Sequence, residues 1–418
     1  MILESRKRII RLLRWSEPYM KTDMVYLASG SFWLALGNVV AIGAGFALTY
    51  VFGNYVPKEV FGNYKYVLAL AGLFGTITLA GMGTAITQAV ARGFDGALRQ
   101  GFRTYLLWSI PSVVLTLGGS AYYFLNENYA LAISLLIVAV GSPILSASNL
   151  YSSFLQGKKD FKRSTIYGFV ISIMPPLAIG SVILTGYGDW VPLFIFLYYL
   201  GVATPSAYFH HRTLKLYRPG PATDPESVPY ALHLTLMSFL GRVASYIDKV
   251  LVFHFLGAAP LAVYTFASAP PQYVLKFNGI LRTLALPKLA SRDIPTLKQT
   301  LPRKIALHFI AALAVFGVYE LLVSPFFRLL FPLYIESIPY AQALGLLILS
   351  APGVWLGQTL VAHMRTRELY IINTINPIVK IVLYVTLIPL YGIWGLVFAT
   401  LGAGALGVGV AFWVYRQL

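Results

Sequence analysis

The sequence predicts an all-α polytopic membrane protein, with about 12 transmembrane helices arranged as two six-helix lobes. Composition, recurrence of apolar spans and an internal repeat each point there. Of 418 residues, 57% are hydrophobic and only 11% charged, with a mean hydropathy of +0.70, a balance unlike that of soluble chains. Apolar stretches of about 20 residues, each able to cross a hydrocarbon core of roughly 30 Å, recur along the whole length. Cysteine is absent, which excludes disulfides, thiolate metal sites and cysteine nucleophiles.

In chain order the spans are expected at 31–52, 66–82, 103–124, 129–154, 165–185, 191–210, 231–256, 262–281, 304–327, 341–363, 371–390 and 393–415. With the N-terminus inside, the cytoplasmic segments hold 25 of the Lys and Arg residues and the outer loops hold 3, namely Lys58, Lys65 and Arg328. That asymmetry predicts a multi-pass protein of the cell (cytoplasmic) membrane with both termini in the cytoplasm. It also accounts for the net charge of +17 without nucleic acid as a partner. Ahead of the first span, Arg6-Lys7-Arg8-Ile9-Ile10-Arg11-Leu12-Leu13-Arg14-Trp15 alternates basic and apolar stripes. Residues 1–30 are therefore expected to form a basic amphipathic segment on the inner headgroups.

The chain repeats itself. Phe52-Gly53 and Leu256-Gly257 stand 204 residues apart, Tyr64 and Tyr264 stand 200 apart, and Tyr187-Gly188 and Tyr391-Gly392 again 204 apart. Two tandem halves with an even number of crossings share one orientation, so a pseudo-twofold axis along the membrane normal relates them. The division expected is an N-lobe over 31–210, a cytoplasmic linker over 211–230 and a C-lobe over 231–418.

The segment Phe52-Gly53-Asn54-Tyr55-Val56-Pro57-Lys58-Glu59-Val60-Phe61-Gly62-Asn63-Tyr64 resembles the loop after the first helix of the polysaccharide transporter, or Wzx-type oligosaccharide (O-antigen) flippase, family. Ile247-Asp248-Lys249 through Leu256-Gly257, with Val263-Tyr264, resembles the seventh-helix signature of the same family. Gly53 is followed by Asn54 where the family usually has proline, which here is delayed to Pro57. The family belongs to the MOP superfamily with the MurJ-type lipid II flippases and the MATE exporters. The resemblance implies two six-helix bundles around a central cavity, and a polyprenyl-linked oligosaccharide as substrate. Polymerases or glycosyltransferases of the same pathway are the candidate protein partners.

Four cations are expected inside the spans, all in the second half: Arg242, Lys249, Lys276 and Lys380. A charge at membrane depth costs several kcal/mol and therefore tends to face an internal cavity. Arg242, Ser245 and Lys249 share one face of the seventh span, and Gln272 and Lys276 lie four apart on the eighth. Asn373, Asn376, Lys380 and Tyr384 form a stripe on the eleventh. At 1.5 Å per residue, Arg242 and Lys276 lie about 21 Å from the outer ends of their helices. Three helices thus present polar faces suited to phosphate oxygens. Asp248 and Glu320 are the acids within spans, open to two readings: ion coupling, or charge pairing with neighbours such as Lys249. Pro175-Pro176, Pro270-Pro271 and Pro377 mark expected bends.

Other signals carry little. Gly402, Gly404 and Gly407 match a dinucleotide fingerprint but lie inside an apolar span with no strand before them. The histidines show no ligand spacing, and neither a metal nor another cofactor is expected. A membrane enzyme would want paired acids or a large outer loop, which the chain lacks. A MATE-like drug or ion antiporter would want an acidic, aromatic cavity rather than a cationic one.

Overall fold

The computed structural model describes residues 24–186, 189–276, 289 and 292–416. The basic segment expected at 1–30 therefore lies largely outside the described residues, as does the Tyr187-Gly188 pair. The described chain is helical, with no strand. The N-terminal half comprises α1 (Met24–Tyr55), α2 (Lys58–Phe74), α3 (Met82–Ala91), α4 (Ala97–Trp108), α5 (Ile110–Leu125), α6 (Tyr129–Ser148), α7 (Leu150–Gly157), α8 (Phe161–Leu184) and α9 (Val191–Tyr217). The C-terminal half comprises α10 (Ser227–Leu256), α11 (Ala258–Lys276), α12 (Ile294–Leu330), α13 (Ile338–Gly345), α14 (Val354–Ala362) and α15 (Thr366–Arg416).

Several crossings are composites of two helices in line. The pairs α2 with α3, α4 with α5, and α6 with α7 each make one crossing, as do Pro332–Ser337, α13, Leu346–Gly353 and α14 together. The 51 residues of α15 would extend about 76 Å as one rod, more than twice a hydrocarbon core. Gly392 divides it, with φ 59° and ψ −135°, a conformation that L side chains rarely adopt. The stretches on either side are two crossings.

Local chemistry sets the other boundaries. Gly257, at φ 93°, lets α10 turn directly into α11. The Asn128, Asp160 and Asp293 side chains cap α6, α8 and α12 by accepting hydrogen bonds from backbone N–H groups of Leu131, Arg163 and Thr296. The Arg163 guanidinium also pairs with Asp160 at 2.8 Å. The outward faces are apolar: Val140, Leu177, Leu321 and Leu390 are all exposed, as helices bathed in lipid require.

The second span needs correction. The sequence reading placed Lys65 in a loop before a span at 66–82, but α2 begins at Lys58 and carries Lys65 in its second turn. Pro57 cannot donate to a preceding turn and is ideal just ahead of a helix, so the helix starts as soon as the proline allows. The first-half spans are thus not free of cations. The prolines at 175–176, 270–271 and 377 all sit inside helices that continue through them.

Call the end of the bundle where α1 begins proximal and the opposite end distal. At the distal end the two halves meet across an aromatic cluster. Phe46, Tyr50, Phe52 and Phe61 on one side face Phe266, Phe326, Phe331 and Tyr334 on the other. The Asn54 amide donates to the Leu330 carbonyl at 2.9 Å, and Lys58 pairs with Glu336. Helix α2 then runs along α10 to the proximal end. Tyr66 stacks on Phe253 at 3.7 Å, the Gly81 N–H donates to Thr235 Oγ1 at 2.9 Å, and Arg92 pairs with Asp224. The proximal part of α1 packs instead on α8, within its own half.

Candidate functional site

Two cavities open within the C-terminal half, around α10, α11 and α15. Lys276, Gln358, Asn373 and Asn376 line one of about 720 Å³. Arg242, Ser238, Ser245, Asn373 and Asn376 line a second of about 380 Å³. Asn373 and Asn376 border both, so the structure brings Arg242, Ser245, Lys276, Asn373 and Asn376 into one polar region. No Asp or Glu lines either cavity. Arg242 is exposed there, its guanidinium presenting a fork of donors that suits phosphate oxygens. The Lys276 ammonium sits over the Tyr273 ring at 5.0 Å, which holds the flexible stem in place.

The remaining residues expected at the site go elsewhere. Tyr384 was expected on the cavity stripe but is fully buried, its hydroxyl 3.1 Å from Thr400 Oγ1. The turn at Gly392 brings the last crossing back alongside Tyr384, so a position eleven residues along the stripe faces protein instead of cavity. Gln272, on α11, is exposed and lines neither cavity. Lys380 is half-buried over the Tyr384 ring at 5.4 Å and lies within electrostatic reach of Asp248 and Lys249.

Asp248 anchors a separate charge cluster. It is 5% exposed, accepts from the Tyr264 hydroxyl at 2.9 Å and pairs with the Lys249 ammonium at 3.3 Å. Lys65, from the N-terminal half, lies within electrostatic reach of Lys249. Its ammonium sits over the Phe61 and Tyr64 rings at 5.1 and 5.7 Å. One carboxylate thus serves two ammonium groups, Lys249 of α10 and Lys380 of α15, while Lys65 of α2 approaches from the Lys249 side. Glu320 is apart from them, with one carboxylate oxygen buried and without a hydrogen-bond partner. Among the described residues it forms no ion pair.

A third cavity, in the N-terminal half, was missed from the sequence. It has a volume of about 380 Å³ and is lined by hydroxyl-bearing residues including Thr78, Tyr105, Ser109 and Ser112. Its signal was present: Ser109 and Ser112 are three apart, and Ser142 and Ser146 four apart, within apolar spans.

A two-lobed bundle of about twelve crossings, with polar cavities among its helices and lipid-facing flanks, is a polytopic membrane fold. Residues 27–291 match the model of a family described as polysaccharide biosynthesis protein, and the chain belongs to that family. No curated protein matches the chain. Among solved structures, it is similar to a multidrug resistance MATE family transporter of the MOP superfamily in its inward-facing conformation. That match has 15% identity and a TM-score of 0.72, covering 90% of this chain and 93% of the other. The outward-facing conformation of such a transporter matches with 16% identity and a TM-score of 0.62, covering 93% and 96%. A MOP superfamily transporter from Pyrococcus furiosus, described as having a binding pocket of reverse polarity, matches with 15% identity and a TM-score of 0.57, covering 94% and 95%. The chain thus shares the fold of these MOP superfamily transporters.

Proposed function

We propose that this protein is a flippase that moves polyprenyl-pyrophosphate-linked oligosaccharide across the cytoplasmic membrane by alternating access, for cell-surface polysaccharide. One observation carries the reading. At membrane depth the C-terminal-half cavities expose Arg242 and Lys276, with amide groups from Asn373 and Asn376, and among the described residues no carboxylate lines them. Such a lining favours a phosphate-bearing anion and disfavours the organic cations that an acidic cavity would attract. In this reading the N-lobe (31–210), linker (211–230) and C-lobe (231–418) are the moving parts, and the proximal end with both termini is cytoplasmic.

The conformation supports the same reading. The lobes are sealed at the distal end by the aromatic cluster, while Gly43 and Gly45, midway along α1 and just before that cluster, border open space. A gap beside α1 would let the polyprenyl tail stay in lipid while the head group enters the cavity. Alternating access then opens the distal cluster and closes the gap.

The test is the double substitution Arg242→Ala with Lys276→Ala, scored by surface polysaccharide and by accumulation of lipid-linked oligosaccharide. Each charge-assisted hydrogen bond is worth about 1.5–3 kcal/mol, so losing two should cut translocation roughly a hundredfold. The amount of protein in the membrane should not change. Undiminished export would sink the anion-cavity reading.

A further inference from the structure

The N-lobe cavity plays no part in that reading, yet the fold builds it deliberately. Three interruptions of regular helix converge on it. They are the 3-10 turn Gly75–Ile77 between α2 and α3, the junction at Ser109 between α4 and α5, and Pro143 within α6. Irregular backbone at membrane depth is tolerated where it borders a polar cavity.

Apart from Arg242 at its border, the described lining is neutral and rich in hydroxyls. Thr78, Tyr105, Ser109, Ser112, Ser142 and Ser146 all border the space. Thr78 Oγ1 and the Tyr105 hydroxyl are 2.8 Å apart, and the Ser109 hydroxyl donates to the Tyr105 carbonyl at 2.8 Å. Tyr198, Tyr199 and Tyr246 add aromatic rings, two of them seated on glycines. A Cβ on Gly72 would come within 2.3 Å of the Tyr246 ring, and one on Gly141 within 2.5 Å of the Tyr199 ring. Arg242 is the one charged residue in the lining, and it also borders the cavity that holds Asn373 and Asn376.

Chemistry narrows the occupant. An organic cation would need a carboxylate, and the lining has none. A phosphate seated within it would meet one cation, and that at the border. An apolar molecule would leave the Ser142 and Ser146 hydroxyls, unlike those of Thr78 and Ser109, without partners. Hydroxyl groups that both donate and accept, set beside aromatic faces, suit a neutral polyhydroxylated ligand, whose own hydroxyls do both and whose C–H faces lie on the rings. A volume of about 380 Å³ falls within the ~300–1,000 Å³ of small-ligand pockets.

We infer that the N-lobe cavity is a subsite for neutral sugar rings of the glycan, with Arg242 at its border holding the adjoining pyrophosphate. The inference rests on the flippase reading and divides the substrate: sugar to the N-lobe, phosphate to the C-lobe.

The experiment uses the purified full chain in lipid nanodiscs and two probes. One is undecaprenyl pyrophosphate, and the other is lipid-linked oligosaccharide extracted from the source cells; each Kd is measured by native mass spectrometry. The wild type should bind the glycan-bearing lipid at least tenfold more tightly. Combining Ser142→Ala, Ser146→Ala and Tyr198→Phe should remove roughly tenfold or more of that preference, as three hydrogen bonds would. Affinity for the bare pyrophosphate should stay within about twofold, which also reports an intact fold, whereas Lys276→Ala should weaken both lipids equally. A wild type without preference, a triple variant that keeps it, or one that loses both lipids alike would overturn the subsite. Binding of neither lipid by the wild type would overturn the flippase reading and this inference with it.

Discussion

Asp248→Asn should be the most destabilising of the conservative substitutions at the charge cluster. The change keeps the side chain's shape and an acceptor for the Tyr264 hydroxyl, so what it removes is one negative charge. Two ammonium groups, Lys249 and Lys380, then lack their one carboxylate, with Lys65 close to Lys249. Removing one partner of a buried ion pair costs about 3–5 kcal/mol, because the other charge stays buried and uncompensated. The Lys249 side chain is 26% exposed, so cavity water relieves part of that and the lower end of the range is expected. Thermal unfolding in detergent measures it. The companion test is Asp248→Asn with Lys249→Met, which removes both charges and should recover most of the loss. Tyr264→Phe should cost only about 1 kcal/mol, one neutral partner of the carboxylate. If Asp248→Asn unfolds at the wild-type temperature, the ammonium groups are hydrated and the cluster is part of the open cavity.

This cluster shows where the sequence was legible. Arg242, Asn373 and Asn376 were readable as cavity-lining residues because polar groups at helical spacing stand out against apolar spans, and all three line one cavity. Lys65 was not. It sits close behind a turn carrying Pro57, Lys58 and Glu59, where charge is ordinary, and only the position of the helix start distinguishes loop from membrane. Tyr384 went wrong for another reason. The phase of its helix was read correctly, but what a face meets depends on Gly392, whose unusual φ returns the chain alongside it. The signal of the hydroxyl cavity was faint because serine and threonine cost little in an apolar helix. Ser109 bonds the Tyr105 carbonyl and Thr78 the Gly75 carbonyl, so neither disturbs the hydropathy that marks a span. The twelve-crossing, two-lobed frame was legible because it follows from hydropathy and the repeat offset, neither of which depends on side-chain direction.

Gly62→Ala should release the distal seal. Gly62 lies where α2 meets the first turn of α11 backbone to backbone: a Cβ there would stand 1.9 Å from the Ala258 carbonyl oxygen and 2.5 Å from its carbon. No side chain can rotate away from that clash, because the obstacle is main chain. One helix must shift, and α2 and α11 belong to opposite lobes, so the shift is a parting of the lobes at the distal end. Overpacking of this kind costs about 1–3 kcal/mol, which moves a two-state ratio by roughly 5- to 100-fold against the sealed state. The absence of native cysteine gives a clean measurement, since thiols introduced by Asn54→Cys and Leu330→Cys span the seal without background. Their cross-linking yield should fall severalfold when Gly62→Ala is added. Gly43→Ala, where an added Cβ meets open space, should leave it unchanged. An unchanged yield in the Gly62 variant would mean that the two helices shift together within one rigid body, and that the lobes do not part along this seam. A fall confined to Gly62→Ala would instead identify the contact between α2 and α11 as the distal latch, adjacent to the cluster of Lys65, Asp248 and Lys249. A change in that cluster's charge would then bear on the same seam that the glycine keeps closed.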